Sequence, residues 1–179
     1  MCDIIDMKNK LDGTQLSNAV IPLWVYGSLR NGQKFDFYLM GGAHKIGDYN
    51  FKGAIIETEL GDWHLDISFK DEIAKGELYC IDICCLLRIF HLENESGSFR
   101  KKYELYAAKV TSKDGNKCVP ALYFDIKRKK KIDGGDVSTR KNTMTKLMEF
   151  LKDNKNTTLD NMEKFIDELI EKNSETPML

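Results

Sequence analysis

The stretch Gly76-Glu77-Leu78-Tyr79-Cys80-Ile81-Asp82-Ile83-Cys84-Cys85-Leu86-Leu87-Arg88-Ile89-Phe90-His91-Leu92 changes its hydrophobic period part-way along. Glu77 to Ile81, introduced by Gly76, reads as a short strand. Ile83, Leu86, Leu87 and Phe90 then recur at i, i+3, i+4 and i+7, which predicts a helix to about Leu92 with Asp82 as its N-cap. Strand signals lie on both sides of this switch. Pro22 to Tyr26 is an apolar run that stops at Gly27, and Ala54 to Thr58 is a second β-prone run. Trp63, Leu65, Ile67 and Phe69 alternate with His64, Asp66 and Ser68, the period of a half-buried strand. Lys102 to Val110 and Val119 to Ile126 form an expected hairpin around Asp114-Gly115-Asn116. Beyond Val137 the period is helical. Met144, Leu147, Met148 and Leu151 mark one amphipathic helix, and Leu159, Met162, Ile166, Leu169 and Ile170 a second, capped by Thr157 or Thr158. The expectation is an α+β fold: a mixed sheet with one internal helix, then a C-terminal helical hairpin. Its divisions are a polar leader at 1–20, a central domain at 21–136 and the hairpin at 137–179.

Composition narrows the function classes. The chain has 179 residues, 42% hydrophobic and 31% charged, enough to bury a core without disulfide or metal staples. Twenty-seven Lys+Arg against 28 Asp+Glu argue against binding nucleic acid over the whole surface, which needs clustered cations. The run Lys127 to Lys131 reads as a solvated connector. No stretch is long and apolar enough to span a membrane, and Met1 to Asn18 lacks the apolar centre of a signal peptide. Cys2 rather than glycine follows Met1, so myristoylation is not indicated, and a cytoplasmic location is expected. The five cysteines and three histidines lack zinc spacing, so no metal site is expected and the cysteines read as reduced, mostly buried apolar residues. Gly41-Gly42 and Gly134-Gly135 lack the ending of a phosphate loop and are assigned to turns, and Trp24 and Trp63 to the core.

Two features carry chemistry. A strand ending in Tyr26-Gly27-Ser28-Leu29-Arg30 can turn its backbone so that successive N–H groups form a nest for a carboxylate or phosphate; a plain turn is the alternative. On a helical wheel, Glu93 falls beside Leu86 and Phe90 and away from Arg88. A carboxylate on a buried stripe, near a helix C-terminus, is unfavourably placed twice over. The alternative is that the helix ends before Glu93 and leaves it solvated.

Together with their surroundings these residues resemble the γ-glutamylcyclotransferase-like superfamily. Tyr26-Gly27-Ser28-Leu29-Arg30-Asn31-Gly32 is similar to its tyrosine-glycine-serine/threonine-leucine signature, and Gly47 to its glycine after a first helical stretch. Gly76 to Asp82 resembles its glycine-glutamate-valine-tyrosine strand, Leu86 to Asn94 the helix ending in its catalytic glutamate, and Ala121-Leu122-Tyr123 a later strand. The likeness covers about residues 21 to 126. It implies a small mixed β-barrel with flanking helices, in which Glu93 is the catalytic general acid/base. It also implies a substrate-binding set of Tyr26, Gly27, Ser28, Leu29 and Arg30, with Phe99 and Tyr123 as pocket walls or hydroxyl positions.

The implied reaction needs no metal or organic cofactor. The α-amine of a γ-glutamyl amine or amide attacks its own γ-carbonyl, releasing 5-oxoproline and the free amine. Phe90 stands where the family has aspartate, Asn94 where it has glycine, Phe99 near a tyrosine position and His64 near a proline. These departures motivate a second expectation, a binding module that captures a small anionic metabolite or signalling nucleotide in the same pocket. The expected partner is therefore a small molecule, γ-glutamyl or anionic, with a homodimer through the C-terminal helices also entertained.

Overall fold

The computed structural model describes residues 18–33, 36–39, 41–59, 63–95, 103–126 and 142–174. Expectations placed on Met1 to Ser17, Phe99, the Lys127 to Lys131 run and Gly134-Gly135 lie outside them. Among the described residues seven strands run in chain order as β1 Ile21–Val25, β2 Ala43–Lys52, β3 Ala54–Glu57, β4 Trp63–Asp66, β5 Ile73–Ile81, β6 Tyr103–Ser112 and β7 Cys118–Ile126. Three α-helices are α1 Ile83–Glu95, α2 Thr143–Asp153 and α3 Leu159–Ser174, with 3-10 turns at Gly27–Leu29 and Asp36–Leu39. The fold is α+β, as expected.

Five strands follow the order β1-β5-β2-β6-β7 and close into a barrel. The closure is narrow: β7 meets β1 in parallel at the single register pair Leu23↔Leu122, and β2 meets β6 over Tyr49↔Ser112 and Asn50↔Thr111. β3 and β4 form a separate two-stranded sheet. β1 divides the interior by its period of two. Ile21, Leu23 and Val25 join Leu86 and Ile89 of α1, Leu147 and Leu151 of α2, and Met162 and Ile166 of α3 in one core. Trp24 and Tyr26 point the other way, into a second core with Tyr49, Leu65, Leu78, Val110 and Tyr123. All five residues of β1 are buried, which is why the segment reads as a continuous apolar run.

The C-terminal helices pack on the barrel. Their apolar stripes, which motivated the dimer expectation, belong to the same core as β1. Asn142 caps α2 through Thr145 N–H at 2.8 Å, and Thr158 rather than Thr157 caps α3. Ala19 is 1% exposed and Val20 N–H donates to Thr157 O at 3.2 Å, so the folded unit begins within the expected leader.

Three sequence expectations need correction. β2 was not anticipated: half its residues are polar, only Tyr49 is buried, and a register shift between Lys45 and Gly47 breaks any alternation. The alternating strand expected to reach Phe69 stops at Asp66, whose Oδ1 accepts Ser68 N–H at 2.9 Å and turns the chain. Leu65 is buried as expected, but Trp63 and Phe69 are exposed, so Trp63 is not core. Among the cysteines, Cys80, Cys84, Cys85 and Cys118 are free; Cys85 is fully buried while Cys118 is exposed. No described helix is long and apolar enough to cross a membrane.

Gly76 explains one letter of the opening motif. A β-carbon there would collide with the Trp24 indole and the Val25 carbonyl oxygen, so β1 and β5 approach this closely only over glycine. Gly76→Ala is expected to cost roughly 1–3 kcal/mol by overpacking. Urea unfolding followed by tryptophan emission checks this, and an unchanged midpoint would contradict it.

Candidate active site

The site is assembled where β1 ends. Tyr26 is still extended, and Gly27 follows at φ 65°, in the left-handed region that favours glycine. The turn is held from within and from outside. Arg30 N–H donates to Gly27 O at 3.4 Å, with Arg30 Nε at 3.5 Å from the same oxygen. Leu29 is buried in the larger core and anchors the turn from below. Asn31 N–H donates to Glu77 Oε2 at 2.8 Å. The Ser28 side chain is outside the described set.

Glu77 is the hub of that outer attachment. It lies in β5, is 9% exposed, and also accepts Lys45 Nζ at 2.8 Å and the Tyr79 hydroxyl at 2.9 Å. Burial pushes its carboxyl up, but the Lys45 ammonium, the Asn31 N–H and the Tyr79 hydroxyl outweigh it and hold the group below the usual carboxylate range.

A second acid organises the other side. Asp125 in β7 is fully buried, and its Oδ1 accepts the Tyr26 hydroxyl at 3.0 Å, Leu65 N–H at 3.1 Å and Ile126 N–H at 2.9 Å. His64 Nδ1 lies 3.9 Å from the same oxygen. Tyr103 places its hydroxyl on Trp63 O at 2.6 Å. The Tyr26 phenol is driven far up, first by burial, then by the charge and hydrogen bond of Asp125, and further by Tyr103 and Glu93. Tyr26 therefore stays a protonated phenol, with Glu93 the smallest of the upward contributions.

Helix α1 carries Glu93. Asp82 Oδ1 accepts Cys85 N–H at 2.7 Å as the expected N-cap, and Asp82 N–H donates to Gly42 O at 2.9 Å. Arg88 Nη2 donates to Gly41 O at 2.6 Å, fixing the middle of the helix to the turn before β2. The helix runs to Glu95, so Glu93 lies in its last turn, half-buried, and not in a following loop. Phe90 packs its ring 6.3 Å from that of Phe124 on the core side.

Of the sequence-named residues, Tyr26, Gly27, Leu29 and Arg30 thus share one turn, and Glu93 lies half-buried in the last turn of α1. Tyr123 is 2% exposed; its ring lies 6.2 Å from Trp24, which stacks on Tyr26 at 5.3 Å. It backs Tyr26 from inside the second core. Sequence reading missed Asp125, Glu77 and Tyr103 as site residues. Asp125 was visible as an acid interrupting the apolar strand Ala121 to Ile126, and Glu77 as the acid of the opening motif. Among the described residues no group of three or more His, Cys, Asp or Glu side chains is arranged to hold a metal.

No protein-family model and no curated protein matches the chain. Solved structures similar to it include an AIG2-like protein from Mus musculus, 16% identical over 70% of this chain and 96% of that one, with a TM-score of 0.49. YkqA from Bacillus subtilis is 20% identical over 60% of this chain, with a TM-score of 0.48; the match spans only 36% of YkqA. A protein from Arabidopsis thaliana is 13% identical over 93% of this chain and 99% of its own, with a TM-score of 0.47. These are partial likenesses of fold.

The Glu77 hub has a testable pH signature. Its folded pKa lies below its unfolded one, so its stabilisation is present above the ordinary carboxylate range and is lost as pH falls through the depressed folded value. The stability difference between wild type and Glu77→Gln should shrink steadily in urea titrations carried from about pH 7 to about pH 3. A difference independent of pH would show that the ionised clasp contributes nothing.

Proposed function

We propose that the chain is a γ-glutamylcyclotransferase-like enzyme that cyclises a γ-glutamyl amine or amide to 5-oxoproline with release of the amine. The observation carrying this reading is that Glu93 sits in the last turn of α1 with its charge felt at Tyr26, the residue that enters the Gly27–Leu29 turn. It is joined by the ordered resemblance of the motifs over about residues 21 to 126.

The chemistry is intramolecular. The ligand's α-ammonium loses a proton to Glu93, the amine nitrogen attacks the γ-carbonyl carbon, and a five-membered ring forms. Glu93 returns that proton to the departing nitrogen as the amide C–N bond breaks, then takes the second excess proton from the ring nitrogen and passes it to the free amine, which leaves as its ammonium. Holding nucleophile and carbonyl in one folded substrate can lower the barrier by roughly 7–11 kcal/mol. The backbone of Gly27, Ser28 and Leu29 receives the substrate carboxylate, with Arg30 at its edge and Tyr26 as a protonated wall. Phe99 completes the proposed lining, while Tyr123 supports Tyr26 from the second core.

Local charge separates the two expectations. Asp125 and Glu93 both act on the Tyr26 phenol, so the field there is negative. It attracts an α-ammonium and opposes a phosphate, which disfavours an anionic metabolite or nucleotide lodged beside Tyr26. The proposal places this work in a cytoplasmic, cofactor-free protein in which residues 21–136 carry the chemistry and the hairpin 137–179 braces them.

Incubation with a panel of γ-glutamyl amines should release 5-oxoproline. Glu93→Gln should lower kcat by roughly 10²–10⁴-fold while the substrate still binds. Turnover surviving that substitution removes Glu93 from the mechanism, whereas binding without turnover by the wild type would identify a binding module.

A further inference from the structure

Trp63 is exposed and yet fixed. Its side chain is 44% exposed, an unusual state for a large apolar group, while the backbone around it is held on several sides. Trp63 O accepts the Tyr103 hydroxyl at 2.6 Å, and Trp63 pairs with Glu57 in the β3–β4 ladder. Two residues on, Leu65 is buried and its N–H is bound to Asp125. The inner edge of the indole faces the turn across a methyl-sized space: a β-carbon built on Gly27 would lie 3.8 Å from both Cβ and Cγ of Trp63. Since φ at Gly27 disfavours any side chain, the space between turn and indole belongs to backbone and ring alone.

We infer that Trp63 is a specificity-determining residue: an aromatic ledge beside the Gly27 turn that receives the amine half of the ligand and favours amides whose amine carries a flat apolar ring. The inference rests on the γ-glutamyl reading for the other half of the ligand. A group that must lie against the turn, and project away from the buried Tyr26–Asp125 pair, meets this indole. A ring stacked there covers apolar surface on both partners and loses little freedom, because the ledge is already held in place. Small alkyl amines cover less of the indole and gain less.

The test compares γ-glutamyl anilide with γ-glutamyl ethylamide and with the γ-glutamyl amide of ethylenediamine, on wild type, Trp63→Ala and Trp63→Phe. Two readouts are taken: 5-oxoproline release, and quenching of tryptophan emission. The second tryptophan, Trp24, is buried at 1% exposure and supplies a steady background, and Trp63→Phe assigns the quenched component. The anilide should show a KM or dissociation constant roughly three- to tenfold below that of the ethylamide in wild type. Trp63→Ala should erase that preference, and Trp63→Phe should retain most of it. Anilide binding that quenches Trp63 with no 5-oxoproline from any amide leaves the ledge standing and defeats the cyclotransferase reading. Turnover with the same KM ratio in Trp63→Ala as in wild type overturns the ledge, as does preference for the ethylenediamine amide over the anilide or failure of the anilide to bind.

Discussion

A buried carboxyl group sets the geometry around which the rest is arranged. Asp125 lies near the end of an apolar strand, fully removed from water, a placement that is costly unless its oxygens find donors. Three donors reach it from three places in the chain: the hydroxyl of Tyr26 at the end of β1, the N–H of Leu65 in β4 and the N–H of Ile126 beside it. Satisfying this one acid therefore ties the first strand to the last and draws the β3–β4 hairpin against the barrel. A lone two-stranded hairpin is marginal in water, so β3 and β4 depend on such attachments. The consequences reach the surface. With Leu65 bound, Trp63 is carried to the rim beside Gly27, and Tyr103 completes the hold on it.

Glu77 repeats the device on the opposite side of the turn. Gly76 allows β5 to approach Trp24, and the next residue then extends its carboxylate to the N–H of Asn31. One acid thus fixes the residue before Gly27, and the other the chain that leaves the turn. Lys45 balances the charge of Glu77, whereas the phenol of Tyr26 meets Asp125 and Glu93 together. The two acids differ accordingly in effect. Glu77 is paired with Lys45 and serves geometry, while Asp125 and Glu93 both push the Tyr26 phenol up.

How legible this was depended on where each element draws its stability. β1, α1, the β6–β7 hairpin and both C-terminal helices bury a continuous run or a regular stripe, and their periods stand in the sequence. β2 and the first half of β5 do not. Lys45, Ile46 and Gly47 carry no alternation, and Ile73 and Lys75 are exposed, so these segments are strands because they pair with each other. Trp63 was misjudged because an aromatic in an alternating run normally faces a core, whereas it stands at the first position of β4 and is exposed. For the site, the Tyr26 to Arg30 turn and Glu93 were readable from local pattern and resemblance. Asp125, Tyr103 and the role of Glu77 were not, since each acts through a partner between 40 and 99 residues away, at Trp63, Asn31 and Tyr26. Period and propensity carry no information about such pairings.

The proposed division of labour has a physical reason. A general base that must take a proton from an ammonium works best with a carboxyl whose pKa is not pulled far down. A lysine or arginine set to hold the ligand's carboxylate would, if it also neighboured Glu93, stabilise the Glu93 anion and weaken it as a base. Backbone N–H groups avoid that conflict, because they offer dipoles to an anion without adding a full charge. A glycine-initiated turn is a means of presenting such groups, and it needs rigid support because backbone donors cannot reorient as side chains do. Glu77 beneath Asn31 and Asp125 behind Tyr26 supply that support from two sides. In the proposed reaction the ligand's carboxylate is then bound by geometry and its ammonium by field, and the two acids that make this possible need never touch the ligand.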